Sequence, residues 1–232
     1  MTDDKIRVLK DTQLFKELDA TVLNVLAERS IVKRLKRNEI LFVEGEPAKG
    51  LFVVASGAIR AFRTAADGRE QVIHVERAIT TIAEVPVFDE GNYPSTTAAD
   101  EPSTVYFLDK KLILNTALRH PDLALAAVRL LASRLRRCAE LVETLSLHEV
   151  GQRLARFLLQ EAARSGIKTS NGTRVTLGLT HNQLAARIGT VREVVTRSLQ
   201  RLQNQRLIIH EDKNFMIPDT AALAIYSESR QE

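Results

Sequence analysis

From Asp11 to Ser30 the apolar positions Leu14, Phe15, Leu18, Val22, Leu23, Val25 and Leu26 recur at spacings that predict one helix. From Asn38 to Leu108 the texture changes. Short β-branched and aromatic runs alternate with turn residues at Glu44-Gly45, Ser56-Gly57, Asp67-Gly68 and Glu90-Gly91-Asn92. This is the rhythm of an antiparallel barrel or sandwich. Asp67-Gly68, between two arms of alternating pattern, is the strongest hairpin signal. Residues 40–43 and 51–54 are continuous apolar runs, as expected for strands buried inside a small barrel. Lys33, Arg34, Lys36 and Arg37 read as a solvated strand edge or loop.

Pro121 to Leu147 predicts a long helix, with Pro121 in the first turn, where its missing N–H costs nothing. Ala124, Val128, Leu131, Leu135, Cys138, Val142 and Leu145 recur at alternating spacings of four and three, a heptad seam. A core helix usually shows a wider stripe. The narrow seam favours pairing with a second copy, and packing on the chain's own β-domain is compatible on another face.

The remainder, to residue 232, is mostly helical with short strands: a helix over Gln152–Ala163, a polar loop over Gly166–Gly172, a strand over Arg174–Leu177 and a closing hairpin turning at Glu211–Asn214. Residues 180–203, THNQLAARIGTVREVVTRSLQRLQ, place Leu184, Ala185, Ile188, Val191, Val195, Leu199 and Leu202 on two helical stripes broken at Gly189. Thr180 suits an N-cap and Gly189 a turn that needs positive φ. A small residue, then Gly four on, then a β-branched residue six beyond that Gly is a helix-turn-helix pattern. Its second helix presents Arg192, Glu193, Thr196 and Arg197 at the N-terminal polar end, where side chains reach base edges in a major groove. Arg can bind guanine bidentately, and Glu can accept from cytosine N4.

Composition supports this division. The net charge is only +4, but residues 1–120 carry 17 basic and 18 acidic side chains, whereas residues 151–217 carry 11 and 4. That asymmetry points to a nucleic-acid partner for the C-terminal part. The single cysteine, Cys138, excludes an intrachain disulfide and a four-cysteine iron–sulfur cluster. The N-terminal MTDDKIRVLK lacks an apolar core, so no secretory signal is expected, and no apolar run approaches a membrane span. A cytoplasmic protein is the expectation. No nucleophile set, metal-ligand spacing, phosphate loop or acid pair marks an enzyme.

A β-barrel, a long heptad helix and a winged helix-turn-helix in this order resemble the cyclic-AMP receptor protein / fumarate–nitrate regulator (CRP/FNR) family of bacterial transcription factors. The resemblance spans about residues 12–218 and rests on EILFVEGEPAKGLFVVASGAIRAF, AEVPVFDEGNYPST and THNQLAARIGTVREVVTRSLQRL. It implies an α+β chain: an antiparallel β-roll over 1–120 with a cyclic-nucleotide-binding-like jelly roll, a dimerisation helix over 121–147 and a winged helix-turn-helix over 148–232. It further implies Arg192, Glu193, Thr196 and Arg197 as base contacts, and Thr180 and Asn182 as phosphate contacts. The dimer seam would be Val128, Leu131, Leu135, Cys138, Val142 and Leu145. The implied partners are palindromic double-stranded DNA with TGTGA- or TTGAT-like half-sites, a second copy of the chain and RNA polymerase, with no membrane.

Nucleotide-binding members of the family carry Gly-Glu-x-x-x-Phe followed by Arg-Ser, the Glu on the ribose and the Arg on the phosphate. The matching residues here are Ala83, Glu84, Phe88, Pro94 and Ser95. Proline supplies neither charge nor donor, and a buried phosphate without them costs several kcal/mol. The family's polar pair on the dimer helix falls on Cys138 and Ala139. The candidate effector pocket is therefore Ala83, Glu84, Pro94, Ser95 and Cys138, with cyclic AMP not expected and Glu84 expected to pair locally. IAEVPVF, GNYPSTT and VETLSL are similar to the nitric-oxide-responsive denitrification regulators, which leaves haem open. Its axial candidates are Cys138 and the histidines His74, His120, His148, His181 and His210, each with a simpler structural reading. The competing function class is a sensor subunit that answers a cyclic nucleotide or other small molecule without binding DNA.

Overall fold

The computed structural model describes residues 2–147, 149–211 and 213–229, without the side chains of residues 140, 143–147 and 211. The chain divides into two compact units, Met1–Ala65 with Val72–Cys138 and Ala66–Gln71 with Ala139–Glu232.

The first unit opens with α1 (Thr2–Asp11) and α2 (Ala20–Arg29), not with one helix from Asp11 to Ser30. Thr12 is the reason. Its hydroxyl and its N–H both donate to the Leu9 carbonyl, at 2.7 and 3.0 Å, which ends α1 by local side-chain competition for the backbone. Leu14, Phe15 and Leu18 are buried from the turns that follow. Successive turns reproduced the spacing of a helix.

The roll comprises β1 (Ile31–Leu35), β2 (Ile40–Phe42), β3 (Gly50–Ser56), β4 (Ala58–Thr64), β5 (Glu70–Arg77), β6 (Thr80–Ile82), the short α3 (Glu84–Phe88), β7 (Thr96–Ala99) and β8 (Ser103–Asp109). Two four-stranded sheets result, ordered β1-β8-β3-β6 and β2-β7-β4-β5. Gly68 takes φ +80° in the turn between β4 and β5, the conformation that glycine tolerates best. Strand β3 alternates as a two-sided strand must. Leu51 and Val53 join one core with α1, α2 and the later helices, while Phe52 and Val54 face a second core inside the roll. There Phe42 stacks on Tyr93 at 3.8 Å and approaches Phe52 at 5.6 Å.

The run over residues 40–43 is not buried throughout. Ile40, on the edge strand β2, and Val43, just past its end, are exposed. Strand β1 is likewise an edge, with Lys33 and Arg34 exposed.

After β8 comes α4 (Lys110–Arg119), which periodicity did not reveal. Asp109 caps it by accepting from the N–H groups of Lys111 and Leu112 at 2.9 and 3.3 Å. Helix α5 (Pro121–Leu147) follows and carries two stripes. Leu123, Ala126, Ala127 and Leu130 are buried in the first unit's core. The heptad seam lies on other positions of the same helix.

The second unit contains α6 (Val150–Ser165), β9 (Ile167–Thr169), β10 (Gly172–Thr176), α7 (His181–Ile188), α8 (Arg192–Asn204), β11 (Ile209–Glu211), β12 (Asn214–Ile217) and α9 (Thr220–Glu228). The polar loop expected over Gly166–Gly172 contains β9, paired with β10 through Thr169 opposite Gly172 and Ile167 opposite Arg174. The sheet order is β11-β12-β10-β9. The closing hairpin holds the register Ile209–Met216, His210–Phe215 and Glu211–Asn214. A single core of Leu154, Leu158, Val175, Leu184, Val195, Leu199, Phe215 and others joins these elements. Among the described residues no helix is long and apolar enough to cross a membrane.

Candidate nucleic-acid interface and effector site

Helices α7 and α8 form the bihelical unit. Thr180 and Gln183 make a capping box: Thr180 Oγ1 accepts from the Gln183 N–H at 3.2 Å, and Gln183 Oε1 accepts from the Thr180 N–H at 3.0 Å. Gly189 ends α7 in the left-handed conformation at φ +71°, which glycine adopts without the steric cost other residues bear. Ala185 and Val195 are buried in the angle between the helices. Arg153 of α6 reaches this turn, donating to the Gly189 carbonyl at 3.3 Å. Burial lowers the Arg153 pKa, and its Nε has no hydrogen-bond partner among the described residues. Sequence patterning did not identify Arg153.

With Val195, Leu199 and Leu202 buried, α8 turns Arg192, Glu193 and Arg197 outward, all exposed. Thr180 and Asn182 are exposed at the start of α7. Thr196 differs from the other three positions of α8. It is half-buried, and its hydroxyl faces the Arg192 carbonyl at 3.1 Å and His181 Nδ1 at 3.2 Å. His181 in turn lies 5.9 Å from the His210 ring, which stacks on Phe215 at 4.3 Å. Burial lowers the His181 pKa, and the positive charge that His210 and Arg192 bring adds to it.

In the first unit Ala83 takes φ +70° before α3, and Glu84 is only 2% exposed. The carboxylate is occupied from within the chain. Arg134 of α5 donates to Glu84 Oε1 at 2.9 Å, to Glu76 Oε1 at 2.8 Å and to the Thr81 carbonyl at 2.5 Å. Arg137 lies 3.6 Å from the same Glu76 oxygen. The Arg134 pKa is raised: burial opposes the rise, but Glu84 and Glu76 outweigh it. His74, next to this cluster on β5, is pushed down by burial, assisted by Arg134 and Arg137 and opposed by Glu76. Of the residues expected to form an effector pocket, Ala83, Glu84 and Ser95 lie in the roll, Ser95 buried, while Pro94 and Cys138 are exposed. Glu76, Thr81 and Arg134 were missed. The available signal was that Arg134 stands four residues after buried Leu130, in line with the inward stripe.

The heptad seam is open in a single chain. Val128, Leu135 and Val142 are 62%, 72% and 64% exposed, Cys138 is exposed and Leu131 half-buried. The Leu145 side chain and His148 lie outside the described residues.

Residues 32–120 match the model of the cyclic nucleotide-binding domain, and residues 152–226 that of the Crp-like helix-turn-helix domain. The chain belongs to the CRP/FNR family. It is 28% identical over 217 residues to the CRP-like cAMP-activated global transcriptional regulator of Mycobacterium tuberculosis, covering 94% of this chain and 97% of that one. It is 27% identical over 220 residues to the transcriptional activator protein Anr of Pseudomonas aeruginosa, covering 93% and 89%. A solved CRP/FNR-family regulator from Eubacterium rectale superposes with a TM-score of 0.78 at 20% identity, covering 95% and 100%. As a CRP/FNR protein the chain is a DNA-binding transcription regulator with a cyclic-nucleotide-binding-like sensor domain, and not an enzyme.

Proposed function

We propose that this CRP/FNR protein acts in the cytoplasm as a homodimer that places two copies of α8 in successive major grooves of a palindromic site. The observation that carries this reading is the face of α8. Apolar Val195, Leu199 and Leu202 anchor the helix, and Arg192, Glu193 and Arg197 are exposed at its N-terminal end. In this reading Arg192, Glu193, Thr196 and Arg197 meet bases, and Thr180 and Asn182 meet phosphates at the N-terminus of α7. Half-sites are TGTGA- or TTGAT-like, and RNA polymerase is the second macromolecular partner.

Functionally the chain has three parts: a sensor over 1–120, a dimerisation helix over 121–147 and a DNA-binding domain over 148–232. Val128, Leu131, Leu135, Cys138, Val142 and Leu145 pair with their copies. An exposed apolar heptad seam supports this, since burying it stabilises a two-helix coil.

The effector acts on the Glu84–Arg134 cluster and is not cyclic AMP. Glu84 is already bound to a guanidinium, and Pro94, at the position of the family's phosphate-binding arginine, is exposed and has no donor. Of the axial-ligand candidates, His74 is the one carried by a strand of the roll, β5, and is the haem candidate of this reading.

A mobility-shift selection against random duplexes tests the reading. Recovery of a palindrome with half-sites one helical turn apart is expected. Absence of any selected sequence, with and without an anaerobic haem-loaded preparation, favours a sensor subunit that does not bind DNA.

A further inference from the structure

The Thr196 hydroxyl has one proton, and that proton stays inside the protein. Oγ1 lies 3.1 Å from the Arg192 carbonyl, which can only accept, so the hydroxyl donates there. Toward His181 Nδ1, 3.2 Å away, the same oxygen must then accept and the ring must donate. His181 therefore carries its hydrogen on Nδ1. The ring is itself held in place. It is the first residue of α7, it contacts His210 of β11, and His210 stacks on Phe215 of β12.

Thr196 is β-branched, with few rotamers open to it in a helix, and two bonds to its oxygen select one of them. It stands on α8 between exposed Glu193 and Arg197. With its proton donated inward and one lone pair facing His181, the hydroxyl has no proton to give a base, and the methyl is the group that suits an apolar base edge. The matching feature in a major groove is the C5-methyl of thymine, which is read by apolar contact.

We infer that His181 is a positioning residue for sequence specificity: it holds Thr196 for apolar contact with a thymine methyl, with no proton left to donate to a base. The inference rests on the reading that α8 enters the major groove. His181 touches no base in this account and acts only through Thr196.

Deoxyuridine substitution is the test. The full chain is bound to the duplex it selects from a random pool, and each thymine is replaced in turn by deoxyuridine, which deletes only the methyl. One position per half-site is expected to weaken binding about three- to fivefold, the effect of burying one methyl. Thr196→Val keeps that sensitivity, and Thr196→Ser abolishes it. His181→Ala lowers it below about twofold without changing affinity for unselected duplex, as lost positioning and not lost charge requires. His181→Asn, whose amide can replace the Nδ1–H donor, restores it and serves where His181→Ala fails to fold. Full sensitivity in His181→Ala overturns the inference. So does sensitivity that survives in Thr196→Ser and vanishes in Thr196→Val. A chain that selects a duplex but ignores every thymine methyl overturns this inference alone, whereas one that selects nothing overturns the major-groove reading beneath it.

Discussion

Arg134 and Glu84 form a buried ion pair at 2.9 Å, linking α5 to the residue that begins α3. The Glu84 side chain is 2% exposed and that of Arg134 14%, so neither charge has bulk water to return to. The same guanidinium serves Glu76. A buried pair is weak evidence of net stabilisation, because desolvation offsets the attraction, but breaking one side of it is costly. Arg134→Met should therefore destabilise the full chain by about 3–5 kcal/mol, since it leaves the buried Glu84 without its guanidinium and Glu76 with only Arg137 at 3.6 Å. Urea unfolding checks this. Arg134→Met with Glu84→Gln should recover part of the loss, and a double variant no better than the single one would mean that Glu84 and Arg134 are not coupled.

Legibility from sequence was uneven, for physical reasons. Turn glycines and strand alternation exposed the roll, and the Thr180–Ala185–Gly189–Val195 spacing exposed the bihelical unit, because both patterns are local. The Arg134 cluster is not local. Its carboxylates lie 58 and 50 residues away along the chain, on β5 and α3. A helical wheel also places Thr196 in line with Glu193 and Arg197 without indicating that its oxygen turns back toward His181. Position on a face follows from periodicity, whereas side-chain torsion follows from packing. The Asp11–Ser30 helix failed for a third reason: Thr12 competes for the Leu9 carbonyl, a choice that spacing alone cannot express.

His74 gives the first unit a pH dependence. Burial holds its pKa below the ordinary imidazole value of 6.5, with Arg134 and Arg137 on α5 adding to the effect and Glu76 on its own strand opposing it. A depressed folded-state pKa means that the unfolded chain takes up the proton first. Stability is full above the unfolded value, falls as pH drops below about 6.5, and levels once the folded value is passed. Thermal melts of wild type and His74→Gln between pH 8 and 5, on the order of that window, should diverge. The variant should show the shallower decline, and parallel curves would assign the dependence to other groups.

The seam on α5 can be tested with one charge. Leu135 is 72% exposed in the single chain, so Leu135→Asp costs the isolated fold little. Across a two-helix interface the same aspartate would face its own copy in an apolar seam, where burying a charge is expensive. Light scattering should return the mass of one chain for the variant and two for the wild type. Palindrome binding should fall with it, and a variant of unchanged dimeric mass would remove the seam from the interface.

Arg197 and Asn182 should separate reading from positioning. Both are exposed, Arg197 on α8 and Asn182 in the first turn of α7. A guanidinium in bidentate contact with a guanine distinguishes that base from the others, whereas an amide on a phosphate serves every sequence alike. Arg197→Ala should thus weaken the selected duplex by about 1–3 kcal/mol and relax preference at one base position, leaving unselected duplex nearly unaffected. Asn182→Ala should lower affinity for selected and unselected duplexes by the same factor. Binding isotherms at fixed salt on both duplexes distinguish the two, because salt sets the electrostatic background common to all sequences. If Arg197→Ala weakens every duplex equally, its guanidinium sits on a phosphate, and the base readers of α8 are Arg192, Glu193 and Thr196.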